Sequence, residues 1–257
     1  MLITRIHASK QGFKMIKQNY QKELEKIIAQ IEEEKKTTVS FVKPTLLLHA
    51  CCGPCSSYVI EYLAQIFDIT IYYYNPNIHP KEEYYRRLEE LKKFLERFPQ
   101  ATQNSVKLVE DSYNPEEYFE ATNVRQEVEL QIEPEKGERC RRCYLFRMKR
   151  AYAYACQKNF DWFTTTLSIS PHKDSEKINT IGRELEEMRF KEVQRDFGDS
   201  TVEGHKTNDS FEIIPQTKFL PSDFKKKGGF LRSTQLSEEY GLWRQDYCGC
   251  VFSMRNH

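Results

Sequence analysis

Short apolar segments that alternate with amphipathic ones constrain the fold of this chain more than any other feature of its sequence. Four such segments, each four to six residues long, occupy 45–49, 69–74, 106–109 and 162–166. A short, unbroken apolar run is typical of a strand that is covered on both faces. Helix-spaced apolar residues fill the stretches between them, and this alternation favours right-handed crossovers and parallel pairing. We therefore predict a three-layer α/β fold of Rossmann-like character with a mostly parallel sheet.

The chain divides into a predicted N-terminal helical extension, 1–43, and an α/β domain, 44–257. The extension has one apolar stripe at helical spacing, which consists of Ile16, Tyr20, Leu24, Ile27, Ile28 and Ile31. A helix docked on the main domain is the simplest interpretation, and a helix reserved for a partner is the alternative. Within the domain we predict a polar insertion or long loop around 188–217 and a cysteine-bearing C-terminal tail.

The charge balance limits the kinds of partner that the chain can bind. The 39 Lys and Arg residues nearly cancel the 38 Asp and Glu residues, which leaves a formal net charge of +1. This balance argues against binding a polyanion through overall charge, but it allows local basic patches for a tRNA or nucleotide site. No apolar run approaches the length of a membrane helix, and the first residues lack the pattern of a secretory signal. We expect a soluble, cytoplasmic protein.

The eight cysteines are the strongest chemical signal in the sequence. In a cytoplasmic chain of this length, clustered cysteines indicate metal ligands or redox groups more often than disulfides. One cluster follows the first predicted strand and a second begins a predicted helix, where backbone N–H groups favour thiolates. Both should meet at one sheet edge and form a soft-metal site, with iron–sulfur preferred over zinc or no metal. The two clusters are Cys51, Cys52 and Cys55, and Cys140 and Cys143; Cys156 stands apart as a predicted buried structural thiol.

The remaining two cysteines, Cys248 and Cys250, flank Gly249 in the tail. A disulfide across one residue closes a strained ring, which favours a reversible dithiol over a structural role. A different redox reading applies to Cys52 and Cys55, because CGPC between a strand and a helix is the thioredoxin pattern. That reading leaves the other clustered cysteines unexplained, and it is kept as an alternative.

Several weaker candidates accompany the cysteines. His49 ends the first strand and is either a chemical group or a satisfied core histidine. The loop after the fourth strand is a candidate phosphate or substrate loop, although a capped helix start explains it equally well. Basic residues in two segments are candidate phosphate contacts or simply solvated charges. The loop residues are Ser168, Ser170, His172, Lys173 and Asp174, and the basic residues are Arg141, Arg142, Lys225, Lys226 and Lys227.

Six segments in this order resemble the QueH family of epoxyqueuosine reductases. They are LLLHACCGPCSSY, YYYNPNIHP, CRRCYLFRM, TTTLSISPHKD, FLPSDFKKKGG and EYGLWRQDYCGCVFS. The resemblance extends over about 44–254, and the combination of the three cysteine clusters is its most specific part. It implies a HUP-like catalytic domain and an iron-dependent oxidoreductase. That enzyme would reduce the epoxide of epoxyqueuosine, in the anticodon loop of tRNA, to queuosine.

Carried over by position, the resemblance also implies a set of site residues. Cys51, Cys52, Cys140 and Cys143 would hold a 4Fe–4S cluster, and Cys248 and Cys250 would be the redox-active disulfide pair. An additional mononuclear iron is expected beside the cluster, with Cys55 as its candidate ligand. The electron donor is unidentified. The alternatives are a thioredoxin-like oxidoreductase and a zinc-stabilised RNA-binding module.

Overall fold

A five-stranded parallel sheet forms the centre of the protein, in a computed structural model that describes residues 18–198 and 217–254. The strands are β1 (Thr45–Ala50), β2 (Asp68–Tyr73), β3 (Lys107–Glu110), β4 (Trp162–Thr165) and β5 (Lys218–Phe219). Their order in the sheet is β3-β2-β1-β4-β5. Leu48 of β1 pairs with Ile71 on one side and with Thr164 on the other. The four predicted strands are present, and the predicted Rossmann-like α/β fold is confirmed.

Helices cover both faces of this sheet and also precede it. They are α1 (Tyr20–Thr37), α2 (Gly53–Leu63), α3 (Lys81–Arg97), α4 (Pro99–Thr102), α5 (Pro115–Thr122), α6 (Val128–Ile132), α7 (Glu138–Gln157), α8 (Ser175–Gly198) and α9 (Gly229–Glu239). Within the described ranges, no helix is both long and apolar enough to cross a bilayer.

Strand β1 explains why the apolar run of the sequence is unbroken. Leu46 and Leu48 belong to the core on the side of α2 and α3, whereas Leu47 belongs to the core beneath α7 and α8. Alternate residues of a strand point to opposite faces, so both faces of β1 must be apolar. The sheet is therefore the middle layer of three, and its loops remain as the place for chemistry.

The N-terminal helix α1 docks on the main domain. Leu24 is fully buried in the core beside α2, and Tyr20 Oη donates to Glu176 Oε1 at 2.6 Å. Arg183 also pairs with Glu23. These contacts support the docked-helix interpretation over a free partner-binding helix. Ile16, the first residue of the predicted stripe, lies outside the described residues.

The predicted insertion or long loop at 188–217 is not a loop in its first part, because α8 continues to Gly198. Neither glycine nor proline interrupts the segment before Gly198, and Lys191 pairs with Glu187 one turn earlier. Polar composition was the signal for a loop, but a polar segment with these residues also suits an exposed helix. Residues 199–216 lie outside the described ranges.

Candidate metal and redox site

Three thiols lie together at the carboxyl end of β1. Cys51 and Cys52 directly follow the strand, and Cys55 lies in the first turn of α2, where Pro54 occupies an early helical position. Their sulfur atoms all lie within 4.8 Å of one another, and the Sγ atoms of Cys51 and Cys52 are 3.8 Å apart. Two sulfurs bound at 2.3 Å to one tetrahedral ion are about 3.8 Å apart. The spacing therefore suits ligands of a shared soft metal.

The other four clustered cysteines line an adjoining pocket. Cys140 and Cys143 come from the first turns of α7, and Cys248 and Cys250 come from the C-terminal tail. Cys140 and Cys143 lie outside the three-thiol group. Cys248 lines this pocket and also a larger cavity that Cys51 and Cys55 border. Sulfurs from three separate segments therefore surround two neighbouring spaces at one sheet edge.

Two cations without carboxylate partners lie among these sulfurs. Arg147 is buried, and its Nη2 donates to Asn75 Oδ1 at 2.5 Å while its Nε has no hydrogen-bond partner. Lys173 is half-buried and lines both spaces. Neither forms an ion pair within residues 18–198 and 217–254. Because a desolvated cation needs a nearby negative charge, these positions fit a site built to hold thiolates.

The electrostatic effect is mutual. Burial opposes the charge of Arg147, but Cys143 and Cys51 raise the pKa of its guanidinium. Burial likewise opposes the charge of Lys173, and Cys51, Cys248 and Cys55 raise its pKa. Each cation is thus held in its charged form by the sulfurs around it.

The three thiols of the first group differ in acidity. Hydrogen bonds donated by Cys52 and Cys55 lower the pKa of Cys51, and Lys173 and Arg147 act in the same direction. Cys52 donates to Cys51, and this bond raises the pKa of Cys52 to about 12. Burial raises the pKa of Cys143 to about 11. One thiolate is therefore favoured by the protein alone, and only a bound cation would deprotonate the whole set. The donor set and its charges fit a thiolate-ligated metal group.

The two tail thiols have different surroundings. Cys248 is half-buried, faces the larger cavity, and lies 2.9 Å from Ser253 Oγ. Cys250 is buried, and the Tyr118 hydroxyl lies 3.0 Å from its sulfur. A hydrogen bond from Cys250 lowers the pKa of Cys248, and the same bond and burial raise the pKa of Cys250. The thiolate is the nucleophile, so Cys248 is the more reactive of the pair. None of the eight cysteines forms a disulfide.

Gly249 allows the tail to close over the site. Its φ is +101°, and an added Cβ would lie 2.8 Å from Ile78 Cγ1. The backbone N–H of His79 donates to the Gly249 carbonyl at 2.8 Å, and Tyr247 Oη donates to the His79 carbonyl at 2.5 Å. A residue with a side chain would meet both backbone strain and a buried neighbour. The glycine between the two cysteines is therefore a steric requirement.

The sequence did not assign roles to Arg147, Tyr118 and Asn75. Arg147 lies four residues after Cys143, which places both on one face of α7. That spacing could have indicated from the sequence that Arg147 lies near Cys143. The contact between Tyr118 and Cys250 joins residues 132 positions apart, and no local pattern indicates it.

His49 is a satisfied core histidine. Its Nε2 donates to the Tyr74 carbonyl at 3.2 Å, and its Nδ1 accepts from the Thr165 hydroxyl at 2.8 Å. Burial lowers the pKa of its ring to about 3, so the ring is neutral. Its role is to tie β1 to the neighbouring strands.

Some residues of the loop after β4 fit the predicted capped helix start, and others fit the predicted phosphate or substrate loop. Asp174 caps α8 through its Oδ1, which accepts from Glu176 N at 3.0 Å, and Ser170 Oγ accepts from His172 N at 3.2 Å. Ser168 is buried against Ser222. Of the five candidate residues in this loop, Ser170, His172 and Lys173 line the larger cavity.

Most of the candidate phosphate contacts have carboxylate partners. Arg141 and Arg142 both pair with Glu138, and Arg142 also pairs with Glu127. Lys225 pairs with Asp223, Lys227 pairs with Glu25, and Lys226 is exposed. These pairs weaken the case for phosphate binding without testing it. Cys156 is half-buried against the core beneath α7 rather than fully buried as predicted.

A family model described as "Epoxyqueuosine reductase QueH" matches residues 46–216 and 205–256. These ranges include every cysteine of the three clusters. The chain is 41% identical over 214 residues to epoxyqueuosine reductase QueH of Streptococcus pyogenes serotype M1, covering 83% of this chain and 72% of that protein. The enzyme of the same name from Staphylococcus epidermidis is 36% identical over 235 residues, or 91% of this chain and 84% of that one.

A more distant relative bears the same name. Epoxyqueuosine reductase QueH of Thermotoga maritima is 32% identical over 214 residues, which is 82% of this chain and 90% of that protein. Most of each relative is thus matched by most of this chain. The chain belongs to the QueH family of epoxyqueuosine reductases.

Proposed function

We propose that this protein is an epoxyqueuosine reductase that converts epoxyqueuosine in tRNA to queuosine. The reaction consumes two electrons and two protons, and the epoxide oxygen leaves as water while the two ring carbons form a double bond. Family membership supports the reaction and the substrate. The observation that carries the chemistry is the meeting of seven cysteines from three segments at one sheet edge, where six of them line two adjoining spaces and Cys52 lies beside Cys51 and Cys55.

Thiolates of Cys51, Cys52, Cys140 and Cys143 would hold a 4Fe–4S cluster, and Cys55 would be a ligand of an additional iron. Such a group, when bound, supplies single electrons and a Lewis acid for the epoxide oxygen. The 3.8 Å separation of the Cys51 and Cys52 sulfurs supports this assignment, as do Arg147 and Lys173, whose pKa values the sulfurs raise. Cys140 and Cys143 are assigned on the resemblance, and their place in the adjoining pocket is compatible with it.

Cys248 and Cys250 would provide the two-electron step. When two thiols form a disulfide, they release two electrons and two protons, which is the amount that the epoxide requires. Cys248 faces the cavity, so it is the thiol that would exchange with an external reductant. Tyr118 and Ser253 hold the two sulfurs in place. Lys173 Nζ would keep a positive charge at the cavity wall, where oxygen acquires negative charge as the C–O bond breaks.

The alternatives use the same thiols differently. A thioredoxin-like enzyme attacks with an exposed first cysteine, but Cys52 is fully buried and donates to Cys51. A zinc-stabilised RNA-binding module would leave the Cys248–Cys250 pair without a role. The family match supports neither of them.

The test combines metal analysis with nucleoside analysis. The protein is purified without oxygen, assayed for iron, sulfide and zinc, and incubated with a chemical reductant and tRNA from a strain that accumulates epoxyqueuosine. We expect iron with sulfide, and conversion of epoxyqueuosine to a nucleoside with one oxygen atom fewer. Zinc without sulfide, or unchanged epoxyqueuosine with the iron-loaded protein, would contradict the proposal.

A further inference from the structure

The larger cavity has a rim whose chemistry the reduction does not use. The cavity measures about 560 Å³, and Cys51, Cys55 and Cys248 lie on its wall. Its lining also includes Phe230 from α9 and Arg244 from the tail. Both of these side chains are exposed. The opening thus combines a flat aromatic ring with a positive charge.

Phe230 and Arg244 form a cation–π contact, the Phe230–Arg244 stack. The Arg244 guanidinium carbon lies 5.4 Å from the centre of the Phe230 ring, within cation–π range. Its Nη1 donates to the Ser233 carbonyl at 3.3 Å and to Ser237 Oγ at 3.2 Å, which holds it over α9. Across the two described ranges, Arg244 has no ion-pair partner. Its charge is therefore available to a ligand.

The stack is fixed relative to the thiols. Helix α9 packs closely on α2, since a Cβ on Gly229 would lie 2.0 Å from the Phe224 carbonyl and 2.5 Å from the Tyr58 ring. Arg232 of α9 also pairs with Glu61 of α2 at 2.6 Å. Because Cys55 lies in α2, the Phe230–Arg244 stack keeps a set position with respect to the sulfurs.

We propose that the Phe230–Arg244 stack binds single-stranded RNA. It would stack a base that neighbours the modified nucleotide, while the modified nucleoside itself enters the cavity. This inference rests on the proposed function, which supplies a tRNA loop as the substrate. Unstacked bases of RNA loops bind to aromatic rings and to guanidinium planes. The net charge of +1 makes such a local contact necessary, because overall attraction is weak.

Other charged residues at the rim are less suited than Arg244 to contact an RNA phosphate. His172 lies 3.7 Å from Glu135, and both belong to the cavity lining. Glu135 and Asp246 are acidic and would repel phosphate. Lys173 lines the same cavity but lies beside the sulfurs, so Arg244, over the Phe230 ring, is the cation next to the stacked base.

The test is tRNA affinity, measured with the anaerobically purified full chain and tRNA carrying epoxyqueuosine. Phe230→Ala should weaken binding about tenfold, from the loss of one stacked base, and Phe230→Tyr should restore it. Arg244→Gln should weaken binding and reduce the salt slope of log K by about 0.7, the value for one phosphate of a single strand. Arg125→Ala is the matched control, because Arg125 lies 3.8 Å from the Phe119 ring, is exposed, and lies outside the cavity lining.

The outcomes separate this inference from the proposed function. If Phe230→Ala and Arg244→Gln bind tRNA as tightly as Arg125→Ala, the inference is wrong even when the wild-type enzyme reduces epoxyqueuosine. If the wild type fails to reduce epoxyqueuosine but both variants lose affinity, the RNA contact stands and the proposed function fails. Turnover with a chemical reductant needs no protein donor, so a KM for tRNA that is unchanged in both variants would also overturn the inference.

Discussion

Replacing Gly249 with alanine should detach the cysteine-bearing tail without unfolding the sheet. The φ of +101° is costly for any residue with a Cβ, by about 1–2 kcal/mol. The new methyl would also lie 2.8 Å from Ile78 Cγ1 and 3.0 Å from Arg87 Nη1, and such overpacking costs about 1–3 kcal/mol. Both neighbours are buried, so neither can move away freely. The total is about 2–5 kcal/mol.

The contacts that hold the tail are of similar strength. They include the hydrogen bonds from His79 N to Gly249 O, from Tyr247 Oη to the His79 carbonyl, and from Arg87 Nη1 to the Cys248 carbonyl at 3.4 Å. At about 1 kcal/mol each they contribute about 3 kcal/mol. Releasing the tail therefore costs about as much as keeping the strain. Most of the core on either side of the sheet lies away from the tail, and of its residues Ile78 is the one that meets the new methyl.

The measurements are native-state thiol labelling, denaturant unfolding and turnover. In Gly249→Ala we expect Cys248 and Cys250 to react much faster, turnover to be lost, and the free energy of unfolding to fall by about 3 kcal/mol, the strength of the lost tail contacts, while the sheet still unfolds in one cooperative transition. Gly228→Ala is the control, because its φ is +80° and an added Cβ would have no neighbour within 4 Å. If Cys248 in Gly249→Ala reacts no faster than in Gly228→Ala, the steric argument is refuted.

Three further predictions concern single side chains. Cys248→Ser should abolish turnover and leave the iron and sulfide content intact, and loss of the metal in this variant would show that Cys248 is itself a ligand. Tyr118→Phe removes the hydroxyl beside Cys250 Sγ and should lower the free energy of unfolding by about 1 kcal/mol. Turnover should fall while the iron content stays unchanged. Turnover at the wild-type rate would show that the contact does not contribute to function. Burial opposes the charge of Asp111, but hydrogen bonds from Arg150 and Tyr72 lower its pKa to about 2, below the ordinary 3.8. The ionised Asp111 carboxylate therefore stabilises the folded state fully above pH 4, and this contribution is lost as the pH falls towards 2. Because Arg150 is half exposed, Asp111→Asn should destabilise by only about 1 kcal/mol at pH 7, and equal destabilisation at pH 2 would contradict this assignment.

The sheet and its helices followed from the sequence because their signals are local. Leu46, Leu47 and Leu48 are apolar on both faces of β1, and this pattern is sufficient to indicate a central parallel strand. The loop predicted from residue 188 was wrong as far as Gly198, because composition is a weak guide where a polar segment suits a loop and an exposed helix equally. The hydrophobic pattern does not fix where a helix ends in such a polar segment.

The site could be predicted as a set of residues but not as an arrangement. Clustered cysteines at strand ends indicate one sheet edge, because topology brings those ends together. The division into a three-thiol group and a second pocket depends on how α7 and the tail pack. The role of Arg147 could not be predicted for a similar reason, because its charge becomes important only when burial removes water from it. The fold also decides that Lys173 faces the sulfurs while its neighbour Asp174 caps a helix.

Iron and acid-labile sulfide, measured in serine variants of the separate cysteine segments, test most directly whether distant sulfurs hold one metal group. We expect both Cys51→Ser and Cys140→Ser to lose most of the iron and sulfide, whereas Cys156→Ser, outside the three clusters, keeps the wild-type content. If Cys140→Ser retained the full wild-type content of iron and sulfide, α7 would have no part in the metal group and the account would be contradicted.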